Sequence, residues 1–341
     1  MLDGATLAKM CPWLLENPGP FPGGDMVLVD GRPYHVRLPA LLGEKPVVNL
    51  IFVGDPERHR RIVEKRRLEV IASNSNRSLD AVWARDPETG LDVGVLTHQM
   101  GAGSTAIVAD EVIFLTEMDF ATRSRRPRFP QIRAVRIGTC GFGQKETNAG
   151  AGIITTATFG LDASGHMIKR PDRTAEENVL FEKFWATVQS RIASWVDKRD
   201  VFYPYMNSTS RLLNDALKRC ANEANFPTVS GIGVTCPGFY DEQWRPVSRF
   251  QSCLPDLDQA LFAMEAVEPF GKIEAIEMEN AVLASKLCGQ GHMFTAFCNA
   301  IGDRRNDRFD TNHAANIDRM IDITFQTLAS LPPDRVFLPS E

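Results

Sequence analysis

The stretch Val47-Val48-Asn49-Leu50-Ile51-Phe52-Val53-Gly54-Asp55-Pro56-Glu57-Arg58 decides the fold class. Apart from Asn49, residues 47–53 are β-branched, aromatic or aliphatic, a run suited to a strand buried on both faces. Gly54 and Pro56 then break the strand, and the charged segment 60–66 reads as a helix. Strand, glycine turn and helix in succession are the unit of an α/β sheet. The same alternation continues downstream, with candidate strands at 68–72, 91–97, 134–138, 152–158, 231–236 and 293–300. Helical segments at about 208–224 and 314–329 complete the pattern. The expected architecture is a three-layer α/β/α domain with a central mixed twisted sheet.

Two regions stand outside that pattern. Residues 1–45 are rich in Pro and Gly (Pro12, Pro18, Gly19, Pro20, Pro22, Gly23, Gly24) and read as an irregular arm. Between about 163 and 202 the chain leaves the sheet pattern, and Leu180, Phe184, Val188, Ile192 and Trp195 fall on one helical stripe. That stripe suits either a helix packed on its own core or one covering a subunit contact. No repeat or long linker divides the remainder, so residues 46–335 are expected to form one domain.

Bulk composition excludes several classes of function. The chain of 341 residues carries 38 basic and 43 acidic side chains, a formal charge of -5, which gives no general attraction to nucleic acid or anionic membrane. Its seven Cys are scattered without a C-x-x-C pair or a zinc-type Cys/His cluster. With no apolar leader and no apolar run of about 18 residues, the expected location is cytoplasmic.

Three strand-to-glycine junctions carry candidate chemistry. At Gly54-Asp55-Pro56-Glu57-Arg58 a glycine opens the backbone and Arg58 offers a two-pronged donor to an anion, although Asp55 also suits a plain helix cap. At Arg136-Ile137-Gly138-Thr139-Cys140-Gly141 an arginine stands inside an apolar strand, where burial demands an anionic partner. The third, His98-Gln99-Met100-Gly101-Ala102-Gly103-Ser104-Thr105, offers Ser104 or Thr105 as a cap for the next helix. None matches a Walker or dinucleotide fingerprint, so inorganic phosphate is the expected occupant if the loops converge. Glu277-Met278-Glu279 precedes the apolar helical run 281–287, and a carboxylate there can accept from two ribose hydroxyls or merely favour the helix start.

Phe239-Tyr240-Asp241-Glu242-Gln243-Trp244-Arg245 adds a base reader. Uracil presents a carbonyl, an N–H and a second carbonyl along one edge, which a Gln amide and a guanidinium can match together. The same donors stabilise negative charge on a departing base. By itself, the segment proves nothing, since a Gln and an Arg two apart beside two aromatics more often form a solvated or structural loop.

Taken together, these segments resemble the nucleoside phosphorylase family of purine and uridine enzymes, over about residues 35–329, and most closely its uridine branch. The resemblance implies that Gly54, Arg58, Arg136 and Thr139 hold phosphate together with Arg77 from a neighbouring subunit. It places His35, likewise from across an interface, with Met278 and Glu279 at the ribose, and Gly141, Phe239, Gln243, Arg245 and Arg304 at the base. Arg245, Gln243 and Arg136 would be the catalytic groups in reversible phosphorolysis of uridine to uracil and ribose 1-phosphate. No cofactor or metal is implied beyond inorganic phosphate as co-substrate; Ser78 stands where bacterial relatives carry a cation-binding Glu. Asp241 and Glu242 replace the usual Pro and Gly before Gln243. The long arm and the insertion resemble the larger dimeric members, implying a homodimer with the arm in its interface and shared active sites. Rival readings are a purine nucleoside phosphorylase using Asp303, a hydrolytic nucleosidase and a non-catalytic nucleoside binder.

Overall fold

The apolar run ahead of Gly54 forms β1 (Asn49–Val53), buried at every position. The computed structural model describes residues 31–42, 45–126, 129–197, 201, 203–311 and 313–332, with the backbone of 336 and 337. Asp55 ends the strand and caps α1 (Pro56–Lys65), its carboxylate accepting from the Arg58 backbone N–H while Pro56 starts the helix. There follow β2 (Glu69–Asn76), β3 (Leu79–Arg85), β4 (Asp92–Thr97), α2 (Ala102–Glu117), β5 (Arg133–Phe142) and β6 (Gly152–Gly160). The second half adds α3 (Ala175–Gln189), β7 (Tyr205–Ser208), α4 (Arg211–Glu223), β8 (Thr228–Thr235), α5 (Leu257–Phe262) and β9 (Ile273–Glu277). It ends with α6 (Asn280–Leu287), β10 (Met293–Asp303), β11 (Arg308–Phe309) and α7 (His313–Ser330).

These strands make one mixed 11-stranded sheet that curls back on itself. β5 pairs in parallel with β10, β10 antiparallel with β6, β6 parallel with β8, and β8 parallel with β9. The circuit closes where Ile276 of β9 meets Gly141 of β5. From β5 the sheet runs outward through β1, β4, β3 and β2. Closure brings the carboxyl ends of β1, β4, β5, β9 and β10 towards one place, and a closed circuit leaves few exposed strand edges.

Helices cover both faces. On one side α2 and α6 join Val36 and Leu38 of the arm in packing on Leu50, Phe52 and Phe294. On the other, Ile62 of α1, Leu213 and Leu217 of α4, and Met320 and Phe325 of α7 cover Ile51, Val53 and Phe297. The arm is anchored by the Trp83 indole, which donates to the Pro39 carbonyl at 2.7 Å. Residues 1–30 of the arm, and with them most of its expected interface role, lie outside the described residues.

The inserted segment adopts the packed-helix alternative. Leu180, Phe181, Phe184 and Val188 of α3 are buried with Phe159 and Ile232, and Phe184 stacks on Phe159 at 3.7 Å between centroids. The stripe ends earlier than its spacing suggested: α3 stops at Gln189, and Trp195 is 58% exposed. The expected strand at 68–72 is longer and lies on the sheet edge, with Val70 and Ile71 facing solvent. β3, β7, β9 and the two-residue β11 were not anticipated. β9 was hidden because Glu274 and Glu277 interrupt its apolar run, yet all five of its residues are buried. Among the described residues no helix is long and apolar enough to cross a membrane.

Candidate active site

A cavity of about 230 Å³ opens where the strand ends converge. Gly54, Asp55 and Arg58 follow β1, Met100 follows β4, and Thr139, Cys140 and Gly141 belong to β5; all seven line this one cavity. Asp55 serves as the cap that the sequence allowed, and Arg58 nevertheless reaches inward, donating from Nη1 to the Ile137 carbonyl at 3.2 Å. Burial lowers the Arg58 pKa, partly opposed by Asp55, so bringing an anion to this guanidinium relieves a desolvation cost. The third junction differs from expectation: Gly101 stands at the N-cap without a side-chain bond, and the Thr105 hydroxyl turns back to the Gly101 carbonyl at 2.8 Å. Ser104 does not cap the helix.

Arg136 is 4% exposed and heavily bonded. Its Nη1 donates to the Asn280 Oδ1 at 2.9 Å and the Cys298 Sγ at 3.4 Å, and its Nη2 to the Glu279 carboxylate. Burial works against its charge, but Glu279, Cys298 and Glu277 outweigh that penalty and raise its pKa. Gly138 makes the seat, since a Cβ there would lie 2.5 Å from the Arg136 Nη1. The two acids after β9 divide their work. Glu277 is the true cap of α6, accepting from the backbone N–H of Glu279 at 2.7 Å and of Asn280 at 2.9 Å, and from the Thr235 hydroxyl. Burial pushes its pKa up to about 7 although Arg136 opposes the shift. Glu279 does not cap the helix; it is tied to Arg136 and accepts from the Gly101 N–H at 2.8 Å. Met278 and Glu279 both line the cavity.

The residues expected to read the base meet in the same cavity. Gln243 is 2% exposed, and its Oε1 accepts from Arg304 Nη2 at 2.6 Å and from Arg245 Nη2 at 3.4 Å. Its Nε2 donates to the Gly238 carbonyl at 3.0 Å, so the surrounding partners fix which way the amide faces. Arg304, locally ambiguous in sequence, also holds the Gln243 carbonyl at 3.0 Å, and it lies against β5 where a Cβ on Gly141 would come within 2.6 Å of its Nε. The Arg245 guanidinium stacks 3.9 Å above the Phe239 ring. Burial lowers the pKa of Arg245, and lowers that of Arg304 with help from Arg245. Asp241 and Glu242 begin a short 3-10 turn ending in Gln243, and Asp241 accepts from the backbone of Val247 and Ser248. Thus Phe239, Gln243, Arg245, Arg304 and Gly141 all line the same cavity.

His35 and Arg77 do not line it. They sit together elsewhere: the Arg77 Nη2 donates to the Tyr34 hydroxyl at 3.3 Å, and Asn76 Nδ2 donates to the His35 carbonyl at 3.1 Å. His35 Nδ1 is 2.7 Å from Glu111. Asp303 is also absent from the lining. Its carboxylate accepts from the backbone of Arg305 and Asn306 and from the Asn306 side chain, closing a turn.

Sequence reasoning missed Met100, Cys140, Ile276, Ile301 and Phe309 as lining residues. Apolar side chains in a cavity wall carry no local signal that separates them from core residues.

A mixed sheet curled round one cavity lined by buried arginines, two neighbouring acids and an amide–guanidinium cluster defines an α/β protein with a site suited to an anion and a polar ligand. The phosphorylase superfamily model matches residues 50–328, and the chain belongs to that family of nucleoside phosphorylases. No curated protein sequence matches it. Among solved structures, it is similar to a Trypanosoma brucei nucleoside phosphorylase showing uridine phosphorylase activity, at 20% identity and a TM-score of 0.79, covering 89% of this chain and 99% of that one. Uridine phosphorylase from the oomycete Phytophthora capsici is similar at 15% identity and a TM-score of 0.64, over 90% of this chain and 97% of the other. Purine nucleoside phosphorylase from Toxoplasma gondii in complex with immucillin-H follows at 19% identity and 0.57, over 91% and 98%. At these identities the likeness establishes the fold.

Proposed function

We propose that the protein is a uridine phosphorylase, converting uridine and phosphate reversibly to uracil and ribose 1-phosphate. The observation that carries this reading is the Gln243–Arg304–Arg245 cluster lining one cavity together with Arg58 and Arg136. Gln243 keeps one Nε2 hydrogen for a uracil carbonyl, and its Oε1 can exchange the long Arg245 contact for the ring N–H. Arg245 has a buried Nε without a hydrogen-bond partner in the protein, suited to the second carbonyl.

In the forward reaction, phosphate held by Arg58 and Arg136 lies against the anomeric carbon, while Glu279 accepts from ribose hydroxyls. The bond from C1′ to the base nitrogen breaks with its electron pair going to uracil, and a phosphate oxygen forms the new bond to C1′. Gln243 and Arg245 donate to the oxygens on which that charge accumulates, so they act more strongly in the transition state than in the ground state. No covalent intermediate with the protein is needed.

Asp303 supports this reading over purine phosphorolysis. An acid that protonates a purine ring nitrogen must reach the base, and Asp303 is engaged in its own turn outside the cavity lining. Arg58 and Arg136 favour phosphate over water as acceptor. The His35–Arg77 patch, away from its own cavity, suits donation to a second copy in a homodimer. Release of uracil from uridine, measured with and without phosphate and with inosine as control, tests the assignment. Uracil release that persists without phosphate, or faster turnover of inosine, would falsify it.

A further inference from the structure

His98, directly after β4, is fully buried, with 0% of its surface exposed. Both ring nitrogens are engaged. Nδ1 lies 2.6 Å from the Gln99 carbonyl, which can only accept, so Nδ1 carries the proton. Nε2 is therefore an acceptor, and the Arg136 Nε donates into it at 3.2 Å. Burial and the positive charges of Arg136 and Arg58 keep the ring neutral, well below its ordinary pKa, although the Gln99 carbonyl opposes them.

A guanidinium has five N–H groups. In Arg136, Nε–H goes to His98, the two Nη1 hydrogens serve Asn280 and Cys298, and one Nη2 hydrogen serves Glu279. One Nη2 hydrogen is left for a ligand in the cavity that Arg136 lines. Because the group is planar, the contact at Nε fixes the hinge about which the other four swing. Asn280 and Glu279 pull from the α6 side; His98 restrains it from the β4 side.

We propose that His98 is a positioning residue for phosphate, holding the Arg136 guanidinium so that its one uncommitted N–H meets the anion. This rests on Arg136 binding phosphate, as in the reading above. The alternative is a histidine that only fills space.

His98→Phe keeps a planar ring and removes the acceptor, whereas His98→Gln can return a side-chain oxygen near the Nε2 position. Steady-state kinetics should show the phosphate KM of the Phe variant raised at least about tenfold, with the uridine KM within about twofold of wild type and the Gln variant within about threefold for both. An unchanged phosphate KM in His98→Phe, an equal rise in both KM values, or a Gln variant no better than Phe would each overturn the proposal. Should His98→Phe fail to fold, His98→Asn, which retains the Nδ1-side donor without the Nε2-side acceptor, replaces it; equal phosphate KM values for Asn and Gln overturn the proposal. Calorimetric titration of the wild-type protein with inorganic phosphate separates the two levels. Absence of phosphate binding defeats the assignment of Arg136 itself, and binding that is insensitive to His98 defeats only the positioning role.

Discussion

Gly138 and Gly141, on the same strand, each make room for one guanidinium: Arg136, proposed for the anion, and Arg304, proposed for the base edge. Substituting alanine at Gly138 places a Cβ 2.5 Å from Arg136 Nη1, and at Gly141 one 2.6 Å from Arg304 Nε. The two changes should separate kinetically. Gly138→Ala is expected to raise the phosphate KM by about tenfold or more and Gly141→Ala the uridine KM by a similar factor, because each displaces a charge-assisted donor. The reverse pattern would show that the two halves of the cavity have been misassigned. Arg245→Ala should lower kcat and kcat/KM together by about a hundredfold, as expected for a donor whose bond strengthens in the transition state. A raised uridine KM at wild-type kcat would restrict Arg245 to ground-state binding.

At the scale of elements, α3 illustrates how a sequence pattern acquires meaning from its surroundings. Its capping box, with Thr174 and Glu177 satisfying each other's backbone, and its apolar stripe mark a helix locally. What that stripe faces is decided by Phe159 on β6 and by Leu257 and Leu261 on α5, distant in the chain. Phe184→Ala should destabilise the fold by about 3–5 kcal/mol, the usual consequence of removing a fully buried aromatic. Urea denaturation measures it; a loss below about 1 kcal/mol would mean that the helix packs loosely.

Two properties belong to the whole molecule. His35 and Arg77, linked through Asn76 and Tyr34 to the same patch, do not line the cavity, and in the reading proposed above a second copy supplies them. Mixing Arg77→Ala with Arg136→Ala subunits, each inactive alone, should recover about a quarter of wild-type activity, since half of the randomly paired dimers carry one intact site of two. No recovery on mixing under conditions of subunit exchange would show that Arg77 acts within its own subunit, and wild-type activity of Arg77→Ala alone would place it outside the reaction. The second is an expected sensitivity to acid. His292 accepts the Ile132 N–H on Nδ1 and contacts Glu117 through Nε2, and burial together with Arg125 lowers its pKa to about 3. A folded-state pKa below the unfolded value gives stability that is full above pH ~6.5 and is lost as pH falls towards the folded value. The destabilisation caused by His292→Gln should therefore shrink on acidification below pH ~6.5, by up to about 1.4 kcal/mol per pH unit. A difference independent of pH would show that folding leaves the His292 pKa unshifted, and one that grows on acidification would show that the histidine is charged in the fold.

The sequence alone carried the α/β class and singled out the junctions at Gly54 and Arg136, the acids Glu277 and Glu279 and the Gln243–Arg245 pair, which the fold gathers round one cavity. These are legible because strand, glycine turn and helix leave local patterns, and because a buried arginine or a paired amide and guanidinium is chemically conspicuous wherever it stands. Closure of the sheet through a single β9–β5 contact was not legible, nor was the division of labour by which Glu277 caps α6 while Glu279 holds Arg136. The same is true of Arg304 bonding Gln243, 61 residues away, and of His98 holding Arg136, 38 residues away. Hydrogen bonds between residues far apart in the chain depend on strand register and sheet curvature, which no short window of sequence contains. Residue type therefore declared which chemistry was available, and only the tertiary fold decided which donors are occupied within the protein and which are left for a ligand.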